Sequence, residues 1–400
     1  MFNRRQFMQA SLVATGTLAA GGRFAFAGDW SGIEAKAKGQ TVYFNAWAGA
    51  DTINAYIAWA GTEVEKRFGV KVVHVKITDT AEVVKRVRDE VAAGKTDGSV
   101  DLVWINGENF KAMKEGKLLF GPFAEALPNF AMVDVEGKPT TRQDFSESVD
   151  GLESPWGMAQ FTFFADGAKV PTPPRSMLEL AGFAKANAGR VTYTAPPDFY
   201  GTTFLKQVLV ETMAEPELLS KAADEALFGK AAEPMMAFLD DFHKSLWREG
   251  KQFPKAQADM TQMVGDGELL VGLTFNPNEP ANLVAAGTLP ATTIAWQHAK
   301  GTIGNTHFVA IPVNAKASAG AQVFANFLLS PEAQAKKNDL KTWGDPTVLA
   351  VGKLNAEDAK MFMAGAAPGS VTFPGPTLLE PHASWVGLIE KSWLAKYGKG

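Results

Sequence analysis

The feature that most constrains the fold is an alternation of short β-branched runs with amphipathic helical segments, which begins after residue 40. Thr41–Trp47, Val70–Ile77 and Val100–Ile105 have the composition of strands, and the last is almost continuously apolar, as a strand buried on both faces should be. Between them, Asp51–Phe68 has apolar residues at helical spacing, and Asp79 is the predicted N-cap of a second helix. Strands separated by such helices predict right-handed βαβ crossovers, and therefore an α/β fold with a mostly parallel sheet.

A second series of elements follows a polar and aromatic passage between residues 120 and 157. Its predicted strands are Met158–Phe164, Arg190–Thr194 and Glu268–Phe275. Its predicted helices are the segment from Ser176 through Lys185, Gly201–Met213, Pro234–Glu249, Ala281–Ala286, Ala317–Leu329, one starting at Ser330-Pro331, Ala356–Met363 and Ser384–Tyr397. A chain of 400 residues is too long for one ordinary domain and suits two lobes of common size.

The first 27 residues have the features of an export signal. Arg4-Arg5 precedes Phe7-Met8 and a modestly apolar run, and Ala25-Phe26-Ala27 has the small residues that a signal peptidase accepts. Paired arginines ahead of apolar residues favour the twin-arginine route, with an ordinary Sec signal as the alternative. We expect cleavage after Ala27 and a periplasmic mature protein.

Composition excludes several classes of partner and site. The formal net charge is −4 and the sequence contains no cysteine. A mildly acidic chain without basic blocks is a poor match for nucleic acid or for an anionic membrane surface. The lack of cysteine excludes disulfides, thiol catalysis, thiolate metal sites and lipid attachment.

The sequence also lacks the common signatures of enzymes. The five histidines have no metal-binding spacing, and no nucleophile elbow or phosphate-binding loop follows a predicted strand. Ferric ion is usually held by the oxygens of neighbouring tyrosines. The five tyrosines here include no adjacent pair, which disfavours ferric ion as the bound solute. We therefore expect no catalytic residues, no metal and no cofactor, with a periplasmic enzyme as a distant alternative.

Several motifs, taken in order, resemble those of extracellular solute-binding proteins of family 1. They are DLVWI at 101–105 with GKLL at 116–119, PPRSMLEL at 173–180, GDGE at 265–268 and ANFLLSPEAQ at 325–334. The second motif has Met177 where the family usually has tryptophan. NPNE at 276–279 and GNTHF at 304–308 are similar to the subgroup assigned to thiamine transport.

This resemblance implies a two-lobed periplasmic-binding-protein fold of type II. One lobe would comprise residues 28–153 and 301–340, the other residues 155–300, and the helices of residues 341–400 would brace both. A hinge crossed more than once would let the lobes close around a solute, and the closed form would be recognised by the permease subunits of an ABC importer in the inner membrane. We expect a monomer.

Candidate solute-binding residues lie where predicted strands end, because ligands of open α/β sheets bind outside the carboxyl ends of strands. They are Asn45, Trp47, Asn106, Glu108, Trp156, Tyr200, Asn276, Asn278 and Glu279. Such a set of aromatic rings, amides and carboxylates suits a planar, cationic, heteroaromatic solute such as thiamine. A polyamine or a sugar is the alternative. Packing between the lobes is the competing explanation for Trp47, Trp156 and Tyr200, and a helix-capping role is the competing explanation for Glu108.

Overall fold

The computed structural model describes residues 30–362 and 367–398. The predicted signal segment lies outside the described residues. The strands are β1 Thr41–Trp47, β2 Lys71–Ile77, β3 Leu102–Ile105, β4 Gln143–Asp144, β5 Glu147–Ser148, β6 Glu153–Gln160, β7 Thr162–Asp166, β8 Gly272–Thr274, β9 Thr293–Trp296, β10 Thr302–Ala310, β11 Val371–Phe373 and β12 Thr377–Leu378. The helices are α1 Trp30–Ala37, α2 Asp51–Phe68, α3 Thr80–Ala92, α4 Glu108–Glu115, α5 Met177–Ala186, α6 Phe199–Thr212, α7 Glu225–Ala231, α8 Glu233–Phe242, α9 Gln257–Gly265, α10 Glu279–Ala285, α11 Ser318–Leu328, α12 Pro331–Asn338, α13 Ala356–Lys360 and α14 Ser384–Tyr397.

The first lobe is built on a six-stranded sheet in the order β12-β10-β3-β1-β2, with β6 also paired to β10. β1 is parallel to β2 and β3, whereas β10 is antiparallel to β3 and β6. Residues of α2 and α11 pack with Phe44 and Leu102, while residues of α3 and α4 pack with Val103 and Ile105. Helices therefore cover both faces of this sheet, as the βαβ prediction requires.

The second lobe is built on a four-stranded sheet in the order β11-β9-β7-β8. β9 is parallel to β11, but β7 is antiparallel to both β8 and β9. α5, α6, α8 and α14 contribute to the apolar core of this lobe. The α/β class is confirmed, while the strand directions are mixed. β7 enters this sheet directly from β6 without a crossover helix, so it need not be parallel to its neighbours.

Within the described residues, the chain passes between the two sheets at three strand-to-strand connections. β6 is followed by β7 after the single residue Phe161, β9 by β10 after residues 297–301, and β11 by β12 after residues 374–376. The predicted strand Met158–Phe164 is therefore two strands in different sheets.

Three other sequence predictions differ from the structure. Arg190–Thr194 forms no strand; the carbonyls of Arg190 and Val191 accept isolated hydrogen bonds from Leu270 N and Trp247 N instead of joining a ladder. The strand predicted at 268–275 is confined to β8. The helix predicted at 234–249 ends at Phe242, and Arg248 and Glu249 have φ of 51° and 57°, which no α-helix accommodates.

The remaining predicted helices are present, some with shifted ends. The predicted caps at Asp79, Ser176 and Ser330 are confirmed, since each side chain accepts a hydrogen bond from the first turn of its helix. The predicted helix Ala356–Met363 is the shorter α13, and Met363 itself lies outside the described residues. None of the helices in the described ranges combines the length and apolar character needed to cross a membrane.

Candidate functional site

An aromatic cluster lies at the edge of the first sheet that faces the second lobe. It comprises Tyr56, Trp104, Trp156, His307 and Trp343. Trp104 meets Trp156 edge-on at 5.0 Å between ring centroids, and Trp343 lies 5.5 Å from Trp156. His307 stacks on Trp343 at 6.2 Å with an interplanar angle of 15°. Trp104 and His307 are only partly buried, whereas Tyr56 and Trp156 are fully buried, so any solute contact of the cluster would be made by the first two rings.

Trp156 reaches this cluster through a β-bulge. His307 pairs with Gly157 and Phe308 pairs with Pro155, so Trp156 is the extra residue of β6. Its carbonyl lies outside the ladder and accepts hydrogen bonds from Gln334 Nε2 and Lys337 Nζ, both at 2.8 Å. The bulge thus fixes the position of Trp156 in the middle of β6.

A buried ion pair lies beneath the rings. Lys337 pairs with Asp345, and its ammonium lies 4.1 Å and 4.3 Å from the ring centroids of Trp156 and Trp343. Burial lowers the pKa of Lys337 to about 8, although Asp345 opposes the shift. Burial alone would raise the pKa of Asp345, but Lys337 and His307 hold it below its ordinary value.

The environment of Gly157 explains why this position is a glycine. A Cβ atom there would overlap both Lys337 Nζ and Asp345 Oδ2. The ion pair therefore occupies the space directly against the backbone of β6.

Three asparagine amides of the second lobe contact the same part of the first lobe. Asn276 and Asn282 donate to the Trp343 carbonyl at 3.2 Å and 2.8 Å, and Asn278 donates to the Gly344 carbonyl at 2.6 Å. Trp343 belongs to the core of the first lobe, and α10, which begins just after Asn278, contacts β9 of the second. These hydrogen bonds therefore join the two lobes.

An acidic cluster lies at a second contact between the lobes. It consists of four carboxyl groups around one lysine: Glu108, Asp144, Glu380 and Glu390 around Lys206. Lys206 Nζ lies 2.6 Å from Glu380 Oε2, and both side chains are buried. Asn305 donates from Nδ2 to Glu380 Oε1 at 3.2 Å, and its own Oδ1 accepts no hydrogen bond from the described residues.

Two phenyl rings from different lobes approach the same ammonium. Lys206 Nζ lies 4.6 Å from the ring centroid of Phe145, which precedes β5, and 5.7 Å from that of Phe199, the first residue of α6. Gly107, which has φ of +62°, allows Phe145 to approach, since a Cβ there would lie 2.8 Å from its ring. Both distances are within the range of a cation–π contact.

The carboxyl groups of this cluster influence one another. Burial raises the pKa of Asp144, Glu380 and Glu390, and the charge of Glu108 raises all three further. Glu108 itself is exposed and forms no hydrogen bond or ion pair within the described residues. The cluster therefore has more carboxyl groups than one lysine can pair with.

The structure divides the predicted site residues between the two clusters. Trp156 lies in the aromatic cluster, and Asn276 and Asn278 contact it through residues 343–344. Asn106 and Glu108 flank Gly107, whose N–H donates to Asp144 at 2.7 Å, so both lie beside the acidic cluster.

Of the other four predicted residues, one lies beside the acidic cluster and three make their contacts elsewhere. Tyr200 is adjacent to Phe199 at the start of α6, which Asp198 caps. The Glu279 carboxylate accepts hydrogen bonds from Thr274 and Gln257 of its own lobe, and burial raises its pKa. Asn45 is buried in β1 and donates to the Tyr43 carbonyl, while Trp47 is 39% exposed at the end of β1 and lies over Gly49. No hydrogen bond or ring contact in the described ranges joins Asn45 or Trp47 to the other candidates.

Sequence reasoning did not identify several residues that the structure places at these contacts. They are Trp104, Phe145, Lys206, Lys337, Trp343, Asp345, Glu380 and Glu390. One available signal was Lys206-Gln207 inside the apolar stretch FLKQVLV of α6, because a lysine in a buried helix requires a partner. Lys337 and Asp345 gave no such signal, since each lies in an ordinary polar segment.

Outside these clusters, the described residues offer no metal site, and two surface depressions lie elsewhere. In the described part of the chain, no three histidine, aspartate or glutamate side chains are arranged so that they could hold a metal ion. Two surface depressions, one along α3 and one between α1 and the end of α2, include none of the predicted site residues.

Comparison with known proteins identifies the class of protein to which these features belong. Residues 59–358 match the family described as bacterial extracellular solute-binding protein. The chain belongs to that family. Protein YnjB of Escherichia coli strain K12 is 46% identical over 373 residues, which cover 93% of this chain and 95% of the relative.

Solved structures show the same fold at much lower identity. An ABC transporter protein from Clostridium perfringens has a TM-score of 0.61 and 14% identity, covering 90% of this chain and 99% of its own. The spermidine/putrescine-binding protein PotD of Streptococcus pneumoniae has a TM-score of 0.59 and 14% identity, covering 89% and 98%. The family resemblance and the two-lobed fold are confirmed. The protein is therefore an extracellular solute-binding protein of the bacterial type.

Proposed function

We propose that this protein binds a small cationic, heteroaromatic solute such as thiamine between its two lobes and presents it to the permease subunits of an importer. The supporting observation is the acidic cluster, in which four carboxyl groups and two phenyl rings from different lobes surround one lysine. A cation entering between the lobes would be attracted by the carboxyl groups that form no ion pair with Lys206. Ring faces of the adjacent aromatic cluster would stack on a planar solute.

The candidate residues have distinct roles in this proposal. Glu108, exposed at the start of α4, supplies a free carboxylate, and Asn106 lies next to it. Trp47 supplies an exposed indole at the carboxyl end of β1. Asn276 and Asn278 stabilise the closed form through their bonds to residues 343–344. Asn45, Tyr200 and Glu279 would each contribute a solute contact from its own lobe.

The lobe boundaries and the mode of export belong to the same proposal. Phe161 and residues 297–301 and 374–376, which connect the two sheets, would act as the hinge between lobes near the predicted boundaries at residues 153–155 and 300–301. Export by the twin-arginine route with cleavage after Ala27 would deliver a periplasmic monomer. Catalysis, a metal and a cofactor are not part of this function.

The experiment is a binding screen of the purified mature protein by thermal shift and calorimetry, with thiamine, thiamine phosphates, putrescine, spermidine and sugars. We expect thiamine to stabilise the protein without being converted. Glu108→Gln should weaken thiamine binding by about 1–3 kcal/mol. Glu115→Gln is the matched control, because Glu115 ends the same helix, is exposed and pairs only with Lys111. Stabilisation by an anionic or neutral solute alone would contradict the proposal.

A polyamine is the second candidate. The same acidic cluster suits an alkyl ammonium, and the fold is shared with a spermidine/putrescine-binding protein. A screen in which spermidine or putrescine binds and thiamine does not would favour this candidate.

A further inference from the structure

Lys206 occupies a position in the acidic cluster that would suit the cationic group of a solute. Its ammonium forms an ion pair with Glu380 at 2.6 Å and lies between the rings of Phe145 and Phe199. A carboxylate with flanking aromatic faces is the usual surrounding of a bound organic cation. The side chain is 1% exposed, so the protein itself fills this subsite.

Several acceptors in the rest of the cluster have no cationic partner among the described residues. Glu108 has no hydrogen-bond or ion-pair partner in the described ranges, and Glu390 accepts a single hydrogen bond, from Thr202 Oγ1 at 2.8 Å. Asn305 Oδ1 is buried beside Glu380 and is also without a donor. These acceptors would satisfy one further cation or its N–H groups.

We propose that Lys206 determines the charge of the accepted solute: it supplies one of the two cations that the acidic cluster can hold, so the solute contributes one positive charge rather than two. This inference rests on the proposed function and specifies its substrate class as a monocation. A dication would have to place its second charge next to Lys206, where like charges repel in a poorly solvated space. Removal of the Lys206 charge would free Glu380 and turn the same cluster into a site for a dication.

The test compares two probes that share a carbon chain, 1-aminobutane with one ammonium and putrescine with two. Calorimetry would give the ratio of their affinities for wild-type protein and for Lys206→Met. We expect wild-type protein to bind putrescine no more than threefold more tightly than 1-aminobutane. We expect Lys206→Met to bind putrescine at least tenfold more tightly than 1-aminobutane. Lys391→Met is the matched control, since Lys391 is an exposed lysine of α14 that pairs only with exposed Glu225.

Lys206→Gln provides a second variant, because its amide can still donate to Glu380 if methionine destabilises the fold. The wild-type ratio is informative by itself, since a tenfold preference for putrescine would overturn the inference and leave a polyamine as the solute. An unchanged ratio in folded Lys206→Met or Lys206→Gln would overturn the inference but not the proposed function. Failure of thiamine and both amines to bind the wild type would instead overturn the proposed function.

Discussion

Replacement of Lys337 by methionine tests whether the buried ion pair organises the contact between the lobes. The side chain of Lys337 is fully buried, as is that of Asp345. Its ammonium donates to the Trp156 carbonyl at 2.8 Å and lies within 4.3 Å of two indole rings. Methionine has a similar length but no charge, so the substitution removes the electrostatic contacts while largely preserving volume.

The magnitude follows from what remains after the substitution. Asp345 would keep the imidazole of His307, whose Nδ1 lies 3.4 Å from Oδ1, but would lose its ammonium partner. Breaking a buried ion pair by removing one member costs about 3–5 kcal/mol, and we expect the free energy of unfolding to fall by that amount. Adding Asp345→Asn removes the unpaired charge. The double variant should therefore lose less unfolding free energy than the two single variants lose together, by about 2 kcal/mol or more.

Urea unfolding followed by tryptophan fluorescence is a suitable assay, because Trp104, Trp156 and Trp343 surround the pair. Lys336→Met is the matched control. Its ammonium contacts one ring, that of Trp59 at 5.2 Å, and the loss should be about 0.5–1 kcal/mol. A loss below about 1 kcal/mol for Lys337→Met, or strictly additive single effects, would refute the view that the pair is energetically coupled.

Three further predictions concern single positions. Glu153 is fully buried, neither carboxylate oxygen has a hydrogen-bond partner among the described residues, and burial followed by Asp144 raises its pKa. The folded state therefore retains this proton while the unfolded state releases it, so stability is lost as the pH rises above the ordinary pKa of 4.5. Glu153→Gln should unfold at a higher temperature than wild type at pH 8 and at a similar temperature at pH 4. Gly157→Ala should lower stability by about 1–3 kcal/mol in denaturant titrations because its Cβ meets the ion pair; Gly182→Ala, in α5 with open space around it, should instead gain about 0.5–1 kcal/mol. Asn278→Ala removes one hydrogen bond between the lobes and should lower the free energy of unfolding by about 0.5–1.5 kcal/mol. Solution X-ray scattering of the ligand-free variant should show a larger radius of gyration than that of wild type. An unchanged radius of gyration would mean that this bond does not hold the lobes together.

Local sequence patterns predicted the elements whose character depends on neighbouring residues alone. The caps at Asp79, Ser176 and Ser330 were predicted because a short polar side chain satisfies backbone N–H groups of its own helix. α2 and α14 were predicted at their observed bounds from apolar spacing or composition. The buried strand β3 was recognised by its continuous apolar run.

The sequence was less informative where partners come from distant segments. Arg190–Thr194 has the composition of a strand, but the neighbouring backbones donate only isolated hydrogen bonds to it. The bulge at Trp156 depends on the register between β6 and β10, which are about 150 residues apart in the chain. Neither feature has a local signature.

The amino-acid sequence by itself determined the α/β class, the likeness to solute-binding proteins and the edges of the strands where polar and aromatic residues collect, because these depend on periodicity and on local motifs. Only the tertiary structure decided which of those residues meet. It brought Lys206 to Glu380 and Lys337 to Trp156, pairs separated by more than 170 positions. The physical reason is that a buried charge can remain in a protein only where folding supplies its partner, and that partner is selected by the packing of whole lobes.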